Sequence, residues 1–225
     1  MRAVLIISPH FDDAILSAGQ FIAGRPDCVV ATVLAGTPPT KSVLTNYDAV
    51  TGFKSATEAM DARRAEDLEA MSVLQAKARH LDSVDSQYGC RFEPEEVIAQ
   101  LRELIDELDP EFIVGPLGLV HPDHEAVRDA LLEAVKASEA LWLYEDLPAR
   151  VQHPESVHKA VGNLAKRGIS LELGFIGTGA VARKMDALWS YRSQMGLPEF
   201  ANRHELLVSE RFWRVSKAVT PEEQA

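Results

Sequence analysis

The chain begins with an apolar run that leads directly into a turn of titratable residues. The four apolar residues 4–7 are too few for a buried helix and are typical of a strand covered on both faces. Pro9 interrupts the strand pattern, and the apolar residues that resume after Asp13 have helical spacing. His10, Asp12 and Asp13 are therefore predicted to lie in a strand-to-helix turn. Ligands bind at this carboxyl edge in open α/β sheets.

Strand and helix patterns continue to alternate along the chain. Up to residue 145 they predict strands at 2–8, 28–35, 78–81, 111–115 and 141–144, and helices at 13–24, 57–77, 95–108 and 125–137. After Pro148 they predict a helix at 155–166, a strand near 169–176, a helix at 180–195 and a last strand near 206–217. This order predicts an α/β fold with a Rossmann-like, doubly wound, mostly parallel sheet and helices on both faces. We expect one domain over residues 1–219 and a frayed tail at 220–225.

Composition and charge exclude several kinds of partner. The net charge of −11 argues against a surface for nucleic acid or anionic membranes, and no apolar run approaches the ~18 residues of a membrane span. The N-terminus has no secretory-leader pattern, and Cys28 and Cys90 are isolated, as in proteins whose thiols stay reduced. We therefore expect a cytoplasmic protein whose partners do not include nucleic acid or a membrane. Its oligomeric state is left open, a homo-oligomer included.

A second titratable cluster stands at an equivalent place in the pattern. His121, Asp123 and His124 follow the strand at 111–115 and open the next helix. Because the carboxyl ends of parallel strands meet at one edge, both clusters should face the same crevice. Each carboxylate alone is explained by helix capping or by the helix dipole. Two histidines and an aspartate with an open fourth position form the ligand set of catalytic zinc, so the two clusters together predict a shared metal site.

A glycine-rich stretch offers a competing interpretation. Gly177, Gly179 and Ala182 match the G-x-G-x-x-A fingerprint of dinucleotide-binding proteins, between a strand pattern and a helix pattern. About 43 residues follow Ala182, which is too few to complete a mononucleotide-binding half. A nucleotide-binding oxidoreductase is therefore a minor alternative, and a simple glycine-rich turn is preferred.

The two clusters resemble the motifs of a known family, the LmbE-like or PIG-L zinc-dependent de-N-acetylases. The first, Pro9-His-Phe-Asp-Asp13, resembles the family signature Pro-His-Pro-Asp-Asp-Glu, and the second, His121-Pro-Asp-His124, resembles the family motif His-Pro-Asp-His. Further resemblances are the Arg-x-x-Glu helix at Arg63-Arg-Ala-Glu66, a loop aspartate at Asp85 and a late Tyr-x-Ser-Gln segment at Tyr191-Arg-Ser-Gln194. The resemblance covers roughly residues 2–215.

The resemblance implies a metal centre and a base. His10, Asp13 and His124 would bind one Zn²⁺, and Fe²⁺ is an alternative in the cell because sites of His and Asp accept both metals. Asp12 would be the general base for a water molecule whose pKa zinc lowers to about 7. At such a pKa a carboxylate is a sufficient base near neutral pH.

The resemblance also implies roles for four further residues. His121, held by Asp123, would stabilise the oxyanion or protonate the leaving amine. Arg63 and Asp85 would line the substrate pocket. The predicted cofactor is thus one zinc ion per chain, and the predicted partner is a small N-acylated substrate.

The activity that the resemblance implies is hydrolysis of an N-acetyl or other N-acyl group on an amino sugar or glycoside. Phe11 and Ala14 replace a Pro and a Glu of the signature, so the substrate is left open. One alternative is a metal-dependent amidase or esterase for a non-sugar or thiol-conjugate substrate. Another is a non-catalytic binding relative, although a free base beside a metal site has no purpose in a pure binder. Tyr47, Trp189 and Tyr191 are candidates for stacking on a sugar ring.

Overall fold

The computed structural model of the chain describes residues 2–39, 43–177 and 179–217. The strands are β1 (Val4–Ser8), β2 (Cys28–Thr32), β3 (Lys77–His80), β4 (Phe112–Pro116), β5 (Leu141–Tyr144), β6 (Ile169–Gly177) and β7 (Glu210–Lys217). The helices are α1 (Asp13–Ala23), α2 (Asn46–Val50), α3 (Ala56–Leu74), α4 (Pro94–Leu108), α5 (Pro122–Ala134), α6 (Ala149–Gln152), α7 (Glu155–Lys166) and α8 (Val181–Leu188). The predicted tail at 220–225 lies outside the described residues, so the domain boundary at 219 stays a prediction.

The seven strands form one sheet in the order β3-β2-β1-β4-β5-β7-β6. The first five strands of this order are parallel, β7 runs antiparallel to β5, and β6 runs antiparallel to β7. Val4 of β1 lies opposite both Cys28 and Phe112, so β1 and β4 are neighbours at the centre of the sheet. The predicted mostly parallel α/β sheet is confirmed, and the two clusters follow adjacent strands.

Both faces of the sheet are covered, which explains the uninterrupted apolar run of β1. Val4 and Ile6 pack into a core that contains residues of α1, α3 and α8. Leu5 and Ile7 pack into a second core, which contains residues of α4, α5 and α7. A strand whose successive side chains enter opposite cores has no solvent face and therefore shows no alternation of polar and apolar residues.

Local capping fixes the helix ends around the crevice. Ser55 Oγ accepts a hydrogen bond from Glu58 N (3.2 Å), so Ser55 caps the start of α3. Thr45 caps α2 in the same way, in a stretch where the sequence pattern predicts no helix or strand. The helix predicted at 125–137 begins earlier, at Pro122, because His121 is its N-cap. The helix predicted at 180–195 ends at Leu188, after which the chain turns.

Two expectations about the environment of the protein can be compared with the structure. Cys28 and Cys90 are both free thiols. Every helix within the described ranges is too short or too polar to cross a membrane.

Candidate active site

The two titratable turns meet at the carboxyl edge of the sheet, as predicted. The first turn leads from β1 into α1, and the second leads from β4 into α5. Ser8 at the end of β1 fixes the first turn, because its Oγ donates to His10 O (2.5 Å) and accepts from Ala14 N (2.9 Å). Asp13 Oδ2 also accepts a hydrogen bond from His10 N (2.8 Å). The backbone of the turn is thereby held by its own side chains.

His10, Asp13 and His124 converge at this edge. Asp13 Oδ2 lies 3.0 Å from His10 Nδ1 and 3.1 Å from His124 Nε2. One ligand atom from each residue lies within 4.8 Å of the other two. Two imidazole nitrogens and one carboxylate oxygen are a donor set that zinc accepts, and no other protein ligand is needed at a catalytic zinc centre. The residues present therefore fit a metal ion.

His10 and His124 each have a second carboxylate beside the ring nitrogen that does not face Asp13. His124 Nδ1 lies 2.6 Å from Asp146 Oδ1, and Asp146 Oδ2 accepts from Gly118 N (2.9 Å) and Leu119 N (3.1 Å). His10 Nε2 lies 3.3 Å from Asp123 Oδ2. Carboxylates in such positions commonly orient metal-binding histidines and fix their tautomers.

Asp146 was not predicted from the sequence, although a signal for it exists. It follows β5, the strand next to β4, and therefore lies at the same carboxyl edge as both clusters. A search for carboxylates after every predicted parallel strand would have found it. Asp146 is buried, and the hydrogen bonds that it accepts offset the cost of removing its carboxylate from water.

The contacts of Asp123 differ from the expectation that this residue holds His121. Its carboxylate contacts His10 Nε2 (3.3 Å) and accepts from Ser86 Oγ (2.8 Å). The contact with His121 comes instead from the backbone, since Asp123 N donates to His121 Nδ1 (3.2 Å). This bond caps α5 and leaves Nε2 as the nitrogen that carries the proton in the neutral ring.

The same contacts create a second group of residues that could hold a metal. Ligand atoms of His10, His121 and Asp123 also lie within 4.8 Å of one another. This group shares His10 with the first group, so the imidazole of His10 lies between the two candidate metal sites. His121 is solvent-exposed, whereas Asp13 and His124 of the first group are buried.

The two adjacent aspartates have opposite electrostatic environments. Burial, together with the negative charge of Asp13, raises the pKa of Asp12 to about 7. Burial also disfavours the charged form of Asp13, but His124 and His10 outweigh it and hold the pKa of that carboxyl well below its ordinary value. Carboxyl groups whose pKa values are driven apart in this way are suited to different roles.

The histidines also differ among themselves. Burial disfavours the cationic form of His124, but Asp13 and Asp146 raise the pKa of its imidazole to about 10. The pKa of His10 is likewise raised, against burial, by Asp123 and Asp13. Burial and the charges of these two histidines instead lower the pKa of His121. The two inner histidines are therefore strong proton acceptors, and His121 favours the neutral form.

A pocket of about 470 Å³ surrounds these groups. Asp12, His121, Arg63 and Asp85 all line it, together with Tyr47. The site residues predicted from the sequence are thus gathered around one cavity, with Asp123 buried directly behind His10.

Arg63 and Asp85 are both engaged by neighbouring side chains. Arg63 forms an ion pair with Asp48 (2.7 Å), and its guanidinium lies 5.3 Å from the ring centre of Tyr47. Asp85 accepts from the backbone N (2.9 Å) and side-chain Nε2 (2.7 Å) of Gln87. Each therefore helps to fix a wall of the pocket.

A hydrogen-bonded network lies behind the first turn. The Tyr191 hydroxyl lies 3.0 Å from Phe11 O and 2.7 Å from Asp67 Oδ1, and His80 Nε2 lies 2.7 Å from Asp67 Oδ2. Tyr191 has no exposed surface, so the prediction that it could stack on a sugar is wrong. Trp189 is not among the residues that line the cavity, and the guanidinium of Arg203 lies over its ring.

The glycine motif has the wrong context for a dinucleotide site. Gly177 ends β6, which pairs antiparallel with β7 at the edge of the sheet. A dinucleotide fingerprint follows a strand of a parallel βαβ unit. Thr178 lies outside the described residues. The interpretation as a glycine-rich turn therefore fits the structure better than nucleotide binding does.

Solved structures of deacetylases share this fold over nearly the whole chain. A deacetylase of the teicoplanin biosynthesis pathway, solved as a bog complex, is 28% identical, with a TM-score of 0.81 over 96% of this chain and 98% of that one. A zinc inhibited form of teicoplanin deacetylase is 26% identical, with a TM-score of 0.77 over 96% and 98% of the two chains. The A40926 pseudoaglycone deacetylase is 26% identical, with a TM-score of 0.79 over 97% and 99%.

Sequence comparison gives a family as well as a fold. No curated protein matches the chain. The family model PIG-L, described as GlcNAc-PI de-N-acetylase, matches residues 5–135, which is more than half of the chain and includes both titratable turns. With this match and the fold of the deacetylases above, the chain belongs to the PIG-L family.

Proposed function

We propose that this chain is a metal-dependent hydrolase that removes an N-acyl group, with N-acetyl as the reference case, from an amino sugar or glycoside. The observation that carries the proposal is the convergence of His10, Asp13 and His124 beside a buried Asp12. Membership of the PIG-L family and the likeness to the teicoplanin-pathway and A40926 deacetylases support the same activity.

His10, Asp13 and His124 are the proposed metal ligands. Zn²⁺ is the proposed ion and Fe²⁺ the alternative in the cell, since the set of two nitrogens and one oxygen suits both. When bound, the ion supplies Lewis-acid polarisation of the amide carbonyl and lowers the pKa of water. A similar deacetylase was solved in a zinc inhibited form, which supports metal binding by this fold but does not favour Zn²⁺ over Fe²⁺ as the working ion.

Asp12 is the proposed general base. Burial and the charge of Asp13 raise its pKa to about 7. A base is most effective when its pKa lies near the operating pH, because it is then both unprotonated and a good proton acceptor. Asp12 therefore accepts the proton of the attacking water.

His121 is the proposed proton donor. Because its Nδ1 accepts from Asp123 N, the neutral ring presents Nε2–H. In the neutral ring this N–H can donate a hydrogen bond to the oxyanion as it forms. Protonation of the leaving amine instead requires the imidazolium form, which gives one proton to the amine nitrogen and returns to the neutral ring. Its lowered pKa favours a neutral donor over a resident cation. Asp123 is proposed as a positioning residue that acts on His121 through its backbone and on His10 through its carboxylate.

Arg63 and Asp85 are proposed to shape the substrate pocket. Arg63 holds Asp48 and the ring of Tyr47, which lines the cavity. The loop of Asp85 is held close to the strand edge, since Gly36 N donates to Ser83 O (2.8 Å). A Cβ on Gly36 would lie 2.1 Å from Asp82 O, so this contact requires glycine.

The test combines metal content with activity in Asp12→Asn. We expect the variant to keep its zinc, measured by plasma mass spectrometry, and to lose a factor of about 10²–10⁴ in hydrolysis of an N-acetylglucosamine glycoside. Asp61→Asn on the exposed face of α3 is the matched control and should keep full activity. An Asp12→Asn protein with normal zinc and undiminished activity would refute the mechanism.

A substrate panel separates the alternatives. A thiol-conjugate amidase or an esterase would need the same ligands and Asp12 but would hydrolyse a different member of the panel. A non-catalytic relative would hydrolyse none of them with its metal bound.

A further inference from the structure

The pocket has an apolar floor beyond the titratable groups. Leu16, Leu34 and Met60 line it and are each only 2% exposed. Leu147 and Phe200 line it as well and are also buried. These residues come from α1, the segment after β2, α3 and two later segments, so the floor is built by separate parts of the fold.

The polar side chains of the walls are bonded mainly to one another. Arg63 is paired with Asp48, and Asp85 is bonded to Gln87. The Tyr47 hydroxyl donates to Gln194 Oε1. A pocket that held the hydroxyl groups of a sugar on every side would instead direct such polar groups at the ligand.

Exposure distinguishes the two ends of the pocket. Val120, beside His121, is 55% exposed, and Gln152 and His153 are exposed on the same side. This end is the mouth. Leu16 lies one helical turn after Asp12 on α1 and therefore extends the same face of the helix inwards.

The proposed function then orients the substrate. If His121 protonates the leaving amine, the amine lies at the mouth and the acyl group points towards Leu16 and Met60. We propose that this floor binds an acyl chain longer than acetyl, so that the preferred substrates carry a medium-length N-acyl group. This inference rests on the proposed function for the direction of the substrate, and on the apolar floor for its chemistry.

The expected effect follows from apolar burial. Each methylene buried in the floor contributes about fourfold in affinity, the ratio that ~0.8 kcal/mol gives. Incomplete contact reduces this increment, so we expect at least about a tenfold gain between acetyl and hexanoyl. A pocket shaped for acetyl would show the reverse order, because a longer chain would be excluded.

Product carboxylates test the acyl end without any sugar. Calorimetry of the zinc-loaded protein with acetate, butyrate, hexanoate and octanoate should show affinity that increases with chain length. Met60→Gln conserves the side-chain length but adds a polar amide, and it should reduce the gain in affinity per added methylene. Leu68→Gln, on the exposed face of the same helix, is the matched control and should keep it. Equal affinity for acetate and hexanoate would overturn the inference.

Hydrolysis of N-acyl-glucosamines with the same chain lengths separates this inference from the proposed function. A kcat/KM that increases from acetyl to hexanoyl supports both. Cleavage of the acetyl compound alone, with flat carboxylate affinity, overturns the acyl floor and leaves the deacetylase. If carboxylate affinity increases with chain length but no N-acyl-glucosamine is hydrolysed, the proposed function is overturned and the acyl floor remains.

Discussion

Replacement of Asp146 by asparagine tests how the proposed metal centre is held. The carboxylate satisfies two demands at once, since one oxygen faces His124 Nδ1 and the other accepts from Gly118 N and Leu119 N. An amide can satisfy only one of them. If its oxygen accepts the two backbone N–H groups, its NH₂ faces Nδ1 and favours the tautomer with the proton on Nε2. That nitrogen is the one directed at Asp13 and the proposed ion.

Either orientation of the amide has a measurable cost. The wrong tautomer should weaken zinc binding by about 10–100-fold, the usual effect of losing a carboxylate partner of a ligand histidine. The other orientation opposes NH₂ to two buried N–H groups and should lower the free energy of unfolding by about 1–3 kcal/mol. Asp146→Asn should therefore lose metal affinity, stability or both.

The assay is competition for zinc against a chromophoric chelator, with denaturant unfolding in parallel. Asp129→Asn, which alters a carboxylate on α5 that pairs with Arg128 and Arg167, is the matched control for zinc affinity. Wild-type zinc affinity together with wild-type stability in Asp146→Asn would refute the reasoning.

Three further predictions concern the centre and its support. Asp13→Asn and His124→Ala should each lose bound zinc, whereas His121→Ala should keep it; loss in His121→Ala alone would place the ion in the second group of ligands. Zinc affinity should increase with pH between about pH 6 and 8, by about tenfold per pH unit for each proton that the ion displaces. The cause is that the pKa of His124 near 10 leaves its imidazole protonated in this range, so the ion must replace that proton. Calorimetry in buffers of different ionisation enthalpy measures the proton release, and no release on zinc binding would contradict the prediction. Tyr191→Phe should destabilise the fold by about 1–3 kcal/mol in denaturant unfolding, because Asp67 and the Phe11 carbonyl lose a buried partner; unchanged stability would show that the hydroxyl is dispensable.

The sequence predicts the parallel part of the fold because its signals are local. An apolar strand, a turn and an amphipathic helix recur up to β5, and the two clusters fall where adjacent strands end. Packing between distant segments sets the antiparallel placement of β6 and β7. The strand pattern in a sequence does not show in which direction that strand runs in the sheet. The first ligand group was proposed from the family resemblance, and the structure adds the distances.

The contacts of the site were less predictable than its members. Asp146 required knowledge that β5 lies next to β4. The Asp123 carboxylate turns to His10 and Ser86, a choice that depends on where the loop at 82–92 lies. The buried position of Tyr191 depends on the end of α8 at Leu188, where the sequence pattern continues as a helix.

The bond between Tyr191 and the Phe11 carbonyl joins the first titratable turn to a residue 180 positions later in the chain. During synthesis the ribosome therefore releases the proposed metal ligands long before it releases one of the groups that fix the backbone of the first turn. A nascent chain that ends before Tyr191 has His10, Asp13 and His124 in its sequence but not the support behind them. Such a chain would hold zinc less firmly than the finished protein. Activity should then appear only after the last third of the chain has folded against the first turn.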